Sequence, residues 1–189
     1  LEAIEREALD ARVPIIRKEM QSFLKVLLAI QKPMCILEVG TAVGFSALLM
    51  SDYLPEGGHI TTIENYEKRI PIARENFRRA GKEDKITLIE GDATEVLAEM
   101  EGTFDFIFMD PPYRMDLPKK VLEALRDTSL ADEETLIIVE EALEKCRKGR
   151  LYILDQIIKP VIAEPRAELS KYAPKMFSMM IPIDKIKDV

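Results

Sequence analysis

From Pro33 onward the chain repeats one arrangement: a short apolar run, a turn, then a stretch with helical spacing. The runs are MCILEVG, HITTIE, KITLIEGD, FDFIFMD and ETLIIVEE. Between them lie GFSALLMSDYL, YEKRIPIARENFRRAG, ATEVLAEME and LPKKVLEALRDTSL. Short apolar runs bounded by turns suit strands buried on both faces, and the longer periodic segments suit helices. A helix between successive strands returns the chain to the same end of the sheet, so the strands run parallel. This predicts an α/β fold of the Rossmann type: an open, doubly wound, mostly parallel sheet with helices on both faces. An eight-stranded barrel needs a longer chain.

Two helices are expected ahead of the sheet. LEAIEREALDAR carries Leu1, Ile4 and Ala8 at helical spacing, and PIIRKEMQSFLKVLLAI predicts a second helix with Pro14 in its first turn. Ile16, Met20, Phe23, Leu24, Leu27 and Leu28 would form its broad apolar face. After Gly149, Pro160, Pro165, Pro174 and Pro182 cut the chain into short pieces, which are expected to supply the last one or two strands. The expected plan is one domain: N-terminal helices over 1–32, a βα core over 33–150 and closing strands over 151–189.

The 189 residues and 47% hydrophobic content suit one compact core. A net charge of -7 disfavours a protein that wraps nucleic acid phosphates. Arg69, Arg74, Arg78, Arg79 and Lys82, and the run Lys145 to Arg150, read first as solvated faces and second as a local phosphate track. No apolar run reaches the ~18–20 residues of a membrane span, and no signal-peptide pattern opens the chain, so a cytoplasmic location is expected. Cys35 and Cys146 make no disulfide framework, and Cys35 reads as a buried small hydrophobe. His59 is the sole histidine and starts a strand at the end away from the expected site, which argues against a histidine-based hydrolase. The methionine-rich KMFSMMIPI reads as core or as a homodimer contact.

Ligands of open α/β sheets bind beyond the carboxyl ends of the strands. In ILEVGTAVGFS, Gly40 ends the first strand and Gly44 opens the helix, followed by Ser46. Ala42 stands where many nucleotide loops have a middle glycine. Glu64, followed by Asn65, ends the second strand, where an acid can accept both hydroxyls of a ribose. Asp92, followed by Ala93, lies just past the third strand, beside the adenine position; it could equally be only a helix N-cap. With Glu38 near the end of the first strand, three successive strands carry an acid.

Glu38-x-Gly40 with Gly44, then Glu64, then Gly91-Asp92 resembles the S-adenosylmethionine site of class I methyltransferases. VPIIRKEMQSFLKVLLAI, ILEVGTAVGFSALLM and ARENFRRAGKEDKITLIEGDA are similar to the bacterial O-methyltransferases related to catechol O-methyltransferase, some of which methylate tRNA hydroxyuridine. The likeness spans residues 1–110. It implies that Glu64 holds the ribose, that Asp92 lies near the adenine amine and that the Gly40–Gly44 loop passes the methionine part.

The fourth strand breaks that pattern. The branch follows it with Asp-Ala-Ala-Lys and its fifth strand with Asp-Asn, which hold a divalent cation. Here the chain reads Asp110-Pro111-Pro112-Tyr113, and its fifth strand ends in Glu140-Glu141. Mg²⁺ on Asp110 with Glu140 or Glu141 is one alternative. The other starts from the turn itself. Asp110 and the Pro111 carbonyl are two acceptors on a stiff loop, suited to gripping an exocyclic amine, and Tyr113 offers a face for a flipped base. FDFIFMDPPYRMDLPKKVLEALRDTSLADEETLIIVEEALE resembles the ribosomal RNA guanine-N2 methyltransferases over residues 104–143. The two likenesses together suggest a mosaic sequence. The expected function is methyl transfer to a nucleobase amine in RNA through Asp110, Pro111 and Tyr113. The rivals are metal-assisted O-methylation of a phenol or hydroxyuridine, and a scaffold without catalysis.

Overall fold

A computed structural model describes residues 1–110, 117–140, 148–149 and 151–152. Pro111, Pro112, Tyr113, Glu141, Cys146 and the expected closing strands lie outside these residues. Leu1–Arg147 forms one compact unit and Lys148–Val189 a second. Of the second, the described residues are helical, with Leu151 and Tyr152 exposed.

The first unit carries α1 (Glu2–Asp10), α2 (Lys18–Gln31), β1 (Cys35–Val39), α3 (Phe45–Ser51), β2 (His59–Glu64), α4 (Ile70–Arg79), β3 (Ile86–Glu90), α5 (Ala93–Glu99), β4 (Phe106–Met109), α6 (Leu117–Arg126) and β5 (Leu136–Val139). All described strand pairs are parallel, in the order β3-β2-β1-β4-β5. The expected doubly wound sheet is therefore present, and its winding reverses between β1 and β4.

Alternation along each strand builds two cores. Ile36, Ile60, Ile86, Phe106 and Phe108 pack with α2, α3 and α4 on one face. Leu37, Val39, Ile63, Ile107 and Met109 pack with α5 and α6 on the other. Each of these side chains is worth about 1.5–3 kcal/mol when fully buried, which is why the β4 register is so strongly fixed. Asp105 starts β1 from across the sheet: its Oδ2 accepts from the Met34 and Cys35 N–H groups at 2.7 and 2.8 Å.

Four details depart from the sequence reading. Helix α2 begins at Lys18, not at Pro14, and Pro14 to Ile16 are non-helical. Gln21 is the reason: its side chain donates to Ile16 O at 3.1 Å, so that carbonyl is turned to a side chain. Phe23 is exposed, because only Met20, Leu24 and Leu28 of α2 face the core, with Leu27 half-buried beside them. Cys35 is exposed, since β1 buries only from Ile36 on. Helix α4 begins at Ile70, with Pro71 in its first turn, and Tyr66 to Arg69 form a separate turn ahead of it. Among the described residues no helix is long and apolar enough to cross a membrane.

Candidate active site

At the carboxyl ends of β1, β2, β3 and β4 lies a cleft of about 580 Å³. That size suits a nucleoside-sized ligand. Its wall includes Gly40, Thr41, Ala42 and Ser46 after β1, Glu64 and Asn65 after β2, Asp92 and Ala93 after β3, and Asp110 after β4. Eight of the expected residues thus meet in one place, because every parallel strand delivers its C-terminal residue to the same edge.

The β1–α3 loop is the floor of this cleft. Gly40 has φ 90° and Ala42 φ 50°, a left-handed pair in which Ala42 replaces the residue that adopts this shape most easily. The Ala42 N–H donates to Glu64 Oε2 at 2.7 Å, which holds the strained residue in place. Gly44 serves packing. It has φ 84°, opens α3, and a Cβ there would sit 2.5 Å from Phe77 Cε1. Gly44 does not line the cleft.

The three expected acids have different environments. Glu64 is buried and accepts three backbone N–H bonds, from Ala42, Asn65 and Tyr66. A carboxylate has about four acceptor sites. Room remains for one further donor, so gripping two hydroxyls requires exchange of one loop bond. Asp92 caps α5, accepting from Thr94 N at 2.9 Å, and also lines the cleft. The Thr94 hydroxyl and backbone hold its carboxyl below the usual range. The cap and the cleft position are therefore both real, where the sequence left them as alternatives.

Glu38 is fully buried and faces α3 rather than the cleft, because strand alternation turns it opposite to Val39. Thr62, its register partner, donates to Glu38 Oε2 at 2.5 Å. Burial pushes the Glu38 carboxyl up, against the pull of the surrounding Ser46, Thr41 and Thr62 hydroxyls. Glu38 Oε1 and Thr41 Oγ1 are buried, and among the described residues neither has a partner at full hydrogen-bond geometry, although the Thr41 hydroxyl lies close enough to act on the carboxyl.

Asp110 stands at the β4 edge, its N–H donating to Val39 O at 3.3 Å. Burial pushes its carboxyl up to about 7, and the nearby Glu140 and Glu38 charges add to the rise. Glu140 itself is buried at the end of β5. Among the described residues no group of three histidines, cysteines, aspartates or glutamates lies close enough together to hold a metal ion.

Sequence reasoning missed one wall. Pro14, Ile15 and Ile16 line the cleft, as do Tyr66, Arg69 and Leu117. The non-helical stretch brings in Pro14 to Ile16, the turn before α4 brings in Tyr66 and Arg69, and Leu117 is the first residue of α6; for the first two, Pro14 and Pro71 were the available signal. The basic side of α4 is spoken for. Arg74 pairs with Glu90, Arg78 with Glu75, Arg79 with Glu7 and Lys82 with Asp52, all within 2.8 Å. Arg69 instead lies over the Tyr66 ring, 5.2 Å from its centroid. His59 meets Thr87 at 2.8 Å, at the far end of the strands.

A pattern of the O-methyltransferase family matches residues 4–185. The chain belongs to the O-methyltransferase family. The match to the O-methyltransferases runs through the Asp110 turn and β5, so one family accounts for the chain on both sides of that turn. A catechol O-methyltransferase from Niastella koreensis is 31% identical over 144 residues, covering 67% of this chain and 64% of that protein. An O-methyltransferase from Bacillus cereus, solved in complex with SAH, is 29% identical, with a TM-score of 0.64 over 87% of this chain and 79% of that one. The chain is also 42% identical over 100 residues to a polyribonucleotide nucleotidyltransferase from Exiguobacterium sibiricum, which is 53% of this chain and 13% of that protein. It thus spans a small part of that relative's length. The Rossmann-like sheet is shared with the solved O-methyltransferases.

Proposed function

We propose that this O-methyltransferase moves a methyl group from S-adenosylmethionine to a hydroxyl oxygen of a small aromatic acceptor, with Asp110 taking the hydroxyl proton. The observation that carries the reading is the placement of Asp110. The same cleft holds the Gly40–Ala42 turn, Glu64 and Asp92, and Asp110 closes its β4 side. The family and the SAH-bound Bacillus cereus relative support the cofactor, and the catechol O-methyltransferase relative supports an aromatic hydroxyl.

The donor set fits S-adenosylmethionine. Thr41 lies in the cleft wall, and its buried hydroxyl sits beside Glu38, where it can also meet the amino-acid end of the ligand. Ser46 lies beside it, Glu64 and Asn65 suit the ribose, and Asp92 with Ala93 suits the adenine. When bound, S-adenosylmethionine supplies a methyl group on a positively charged sulfur. The chain's own work is placement and proton removal. Ile15, Ile16 and Leu117 give the apolar wall for the acceptor. A neutral hydroxyl is a weak nucleophile, and a carboxyl near 7 is suited to accept its proton close to neutral pH.

In this reading Asp110 acts as a base, and its rival is Mg²⁺ held by Asp110 with Glu140 or Glu141. The ion pairs on α4 and the net charge of -7 support a small acceptor over a folded RNA. A nucleobase amine is the second reading, favoured by Asp110-Pro111-Pro112-Tyr113 and its likeness to the guanine-N2 methyltransferases. One domain over the whole chain and a homodimer complete the proposal.

The test is methyl transfer to catechol and to guanine-bearing RNA, before and after EDTA. Transfer to catechol should survive chelation, with kcat/KM rising with pH to a plateau above an apparent pKa of about 7. Asp110→Asn should lower kcat by about 10²–10⁴ while SAH still binds. Activity lost to EDTA and restored by Mg²⁺ would overturn the base role. Transfer to RNA amine and not to catechol would install the second reading.

A further inference from the structure

We infer that Gln21 and Asn76 are positioning residues that tie both walls of the cleft to helix α1, so that ligand affinity depends on the ion pair Glu7–Arg79. The reading of the cleft as a cofactor site underlies the affinity part of this inference. The ties themselves are visible in the ligand-free chain.

Each buried amide reaches one wall. Gln21 is 5% exposed, and its Nε2 donates both to Ile16 O at 3.1 Å and to Glu5 Oε1 of α1 at 2.8 Å. Lys18 also binds Glu5, at 2.6 Å. This fixes the Pro14–Ile16 wall. Asn76 is 4% exposed, and its Nδ2 donates to Val43 O in the β1–α3 loop at 2.8 Å. Its Oδ1 accepts from Arg79 Nη1 at 3.2 Å, and the same guanidinium grips Glu7 of α1 with two bonds of 2.7 Å. A continuous path therefore runs from Glu7 through Arg79 and Asn76 to the loop that carries Ala42.

The geometry has a physical consequence. The Asn76 NH₂ faces the loop carbonyl and its Oδ1 faces Arg79, so Val43 O and the guanidinium hold the amide in the same orientation from opposite ends. Without Arg79 the amide keeps one of its two partners, and the donor to Val43 O is held less firmly. Ala42, one residue away, sits at a positive φ that the chain must hold against its own preference. The ion pair is half-exposed and contributes little to global stability by itself. Its effect is expected in the loop.

The experiment combines amide hydrogen exchange on the ligand-free chain with SAH titration by calorimetry. The variants are Glu7→Gln, Arg79→Leu, Asn76→Leu and the Glu7→Gln/Asn76→Leu pair. Arg79→Leu should speed exchange in residues 40–44 and weaken SAH about fivefold, and Asn76→Leu about tenfold or more. Glu7 and Asn76 do not touch, so independent roles would make their effects on affinity additive; the path predicts that the double variant loses less affinity than the sum of the two single losses. Additive effects, or unchanged exchange in 40–44 with Arg79→Leu, would overturn the inference. Altered exchange with no SAH binding by the parent chain would leave the ties standing and remove the cofactor reading.

Discussion

Glu64 is the residue on which the proposed cofactor side of the site turns. Its two oxygens face backbone N–H groups on both sides, Ala42 on one and Asn65 and Tyr66 on the other. Glutamine at this position must aim its NH₂ at an N–H whichever way the amide lies. Glu64→Gln should therefore weaken SAH by tenfold or more, on the order of 1.5–3 kcal/mol. Calorimetry checks it, and affinity equal to the parent's would remove Glu64 from the ribose. This acid was legible in the sequence because strand ends converge in a parallel sheet. Glu38 was not: its distance from the glycines is right, but strand parity turns it into the core against Thr62. Ile15 and Ile16 were hidden for a different reason, since helical spacing continued through them while the Gln21 side chain took the Ile16 carbonyl.

At the scale of elements, the β1–α3 loop concentrates the strain. Gly44 combines φ 84° with Phe77 pressed against the space a Cβ needs. Gly44→Ala should destabilise the fold by about 2–4 kcal/mol, from left-handed strain and overpacking together. Urea unfolding would show this as a lower midpoint at unchanged slope. Ala42→Gly should change stability by less than about 1 kcal/mol, because relief of the φ 50° strain offsets the added freedom of the unfolded chain. A larger loss for Ala42→Gly than for Gly44→Ala would contradict this account. The elements themselves could be read from their periodicity, and β2 matches the predicted HITTIE. Element starts were harder to read. Pro14 fits a first helical turn by type, yet the first turn of α2 is closed by Gln21 N on Arg17 O. The strand order also was not written in any local pattern, because pairing of β1 with β4 depends on which faces the helices cover.

The whole molecule sets stability against activity along the pH axis. Asp110 rises from 3.8 to about 7 on folding, and Glu38 is also raised, both chiefly by burial. A carboxyl whose pKa is raised by folding binds more protons in the folded state. Its contribution is fully present below the unfolded value and is lost as pH rises through the folded one. Asp92 and Glu5 are held low by hydrogen bonds, so their contributions fade as pH falls from their unfolded values through their folded ones. Stability should thus peak on the acid side of neutrality, near pH 4 to 5, and decline toward pH 8. For Asp110 alone the full rise corresponds to about 4 kcal/mol, an upper bound for a group at a cleft edge. Asp110→Asn removes the ionisation and should raise the melting temperature at pH 8 while leaving it nearly unchanged at pH 4. Scanning calorimetry across that range decides the matter, and an equal shift at both pH values would rule out the buried charge as the cause. In the proposed function, the ionised form that weakens the fold is the one that takes a proton from the acceptor. A functional Asp110 therefore keeps the protein below its attainable stability at the pH where it works.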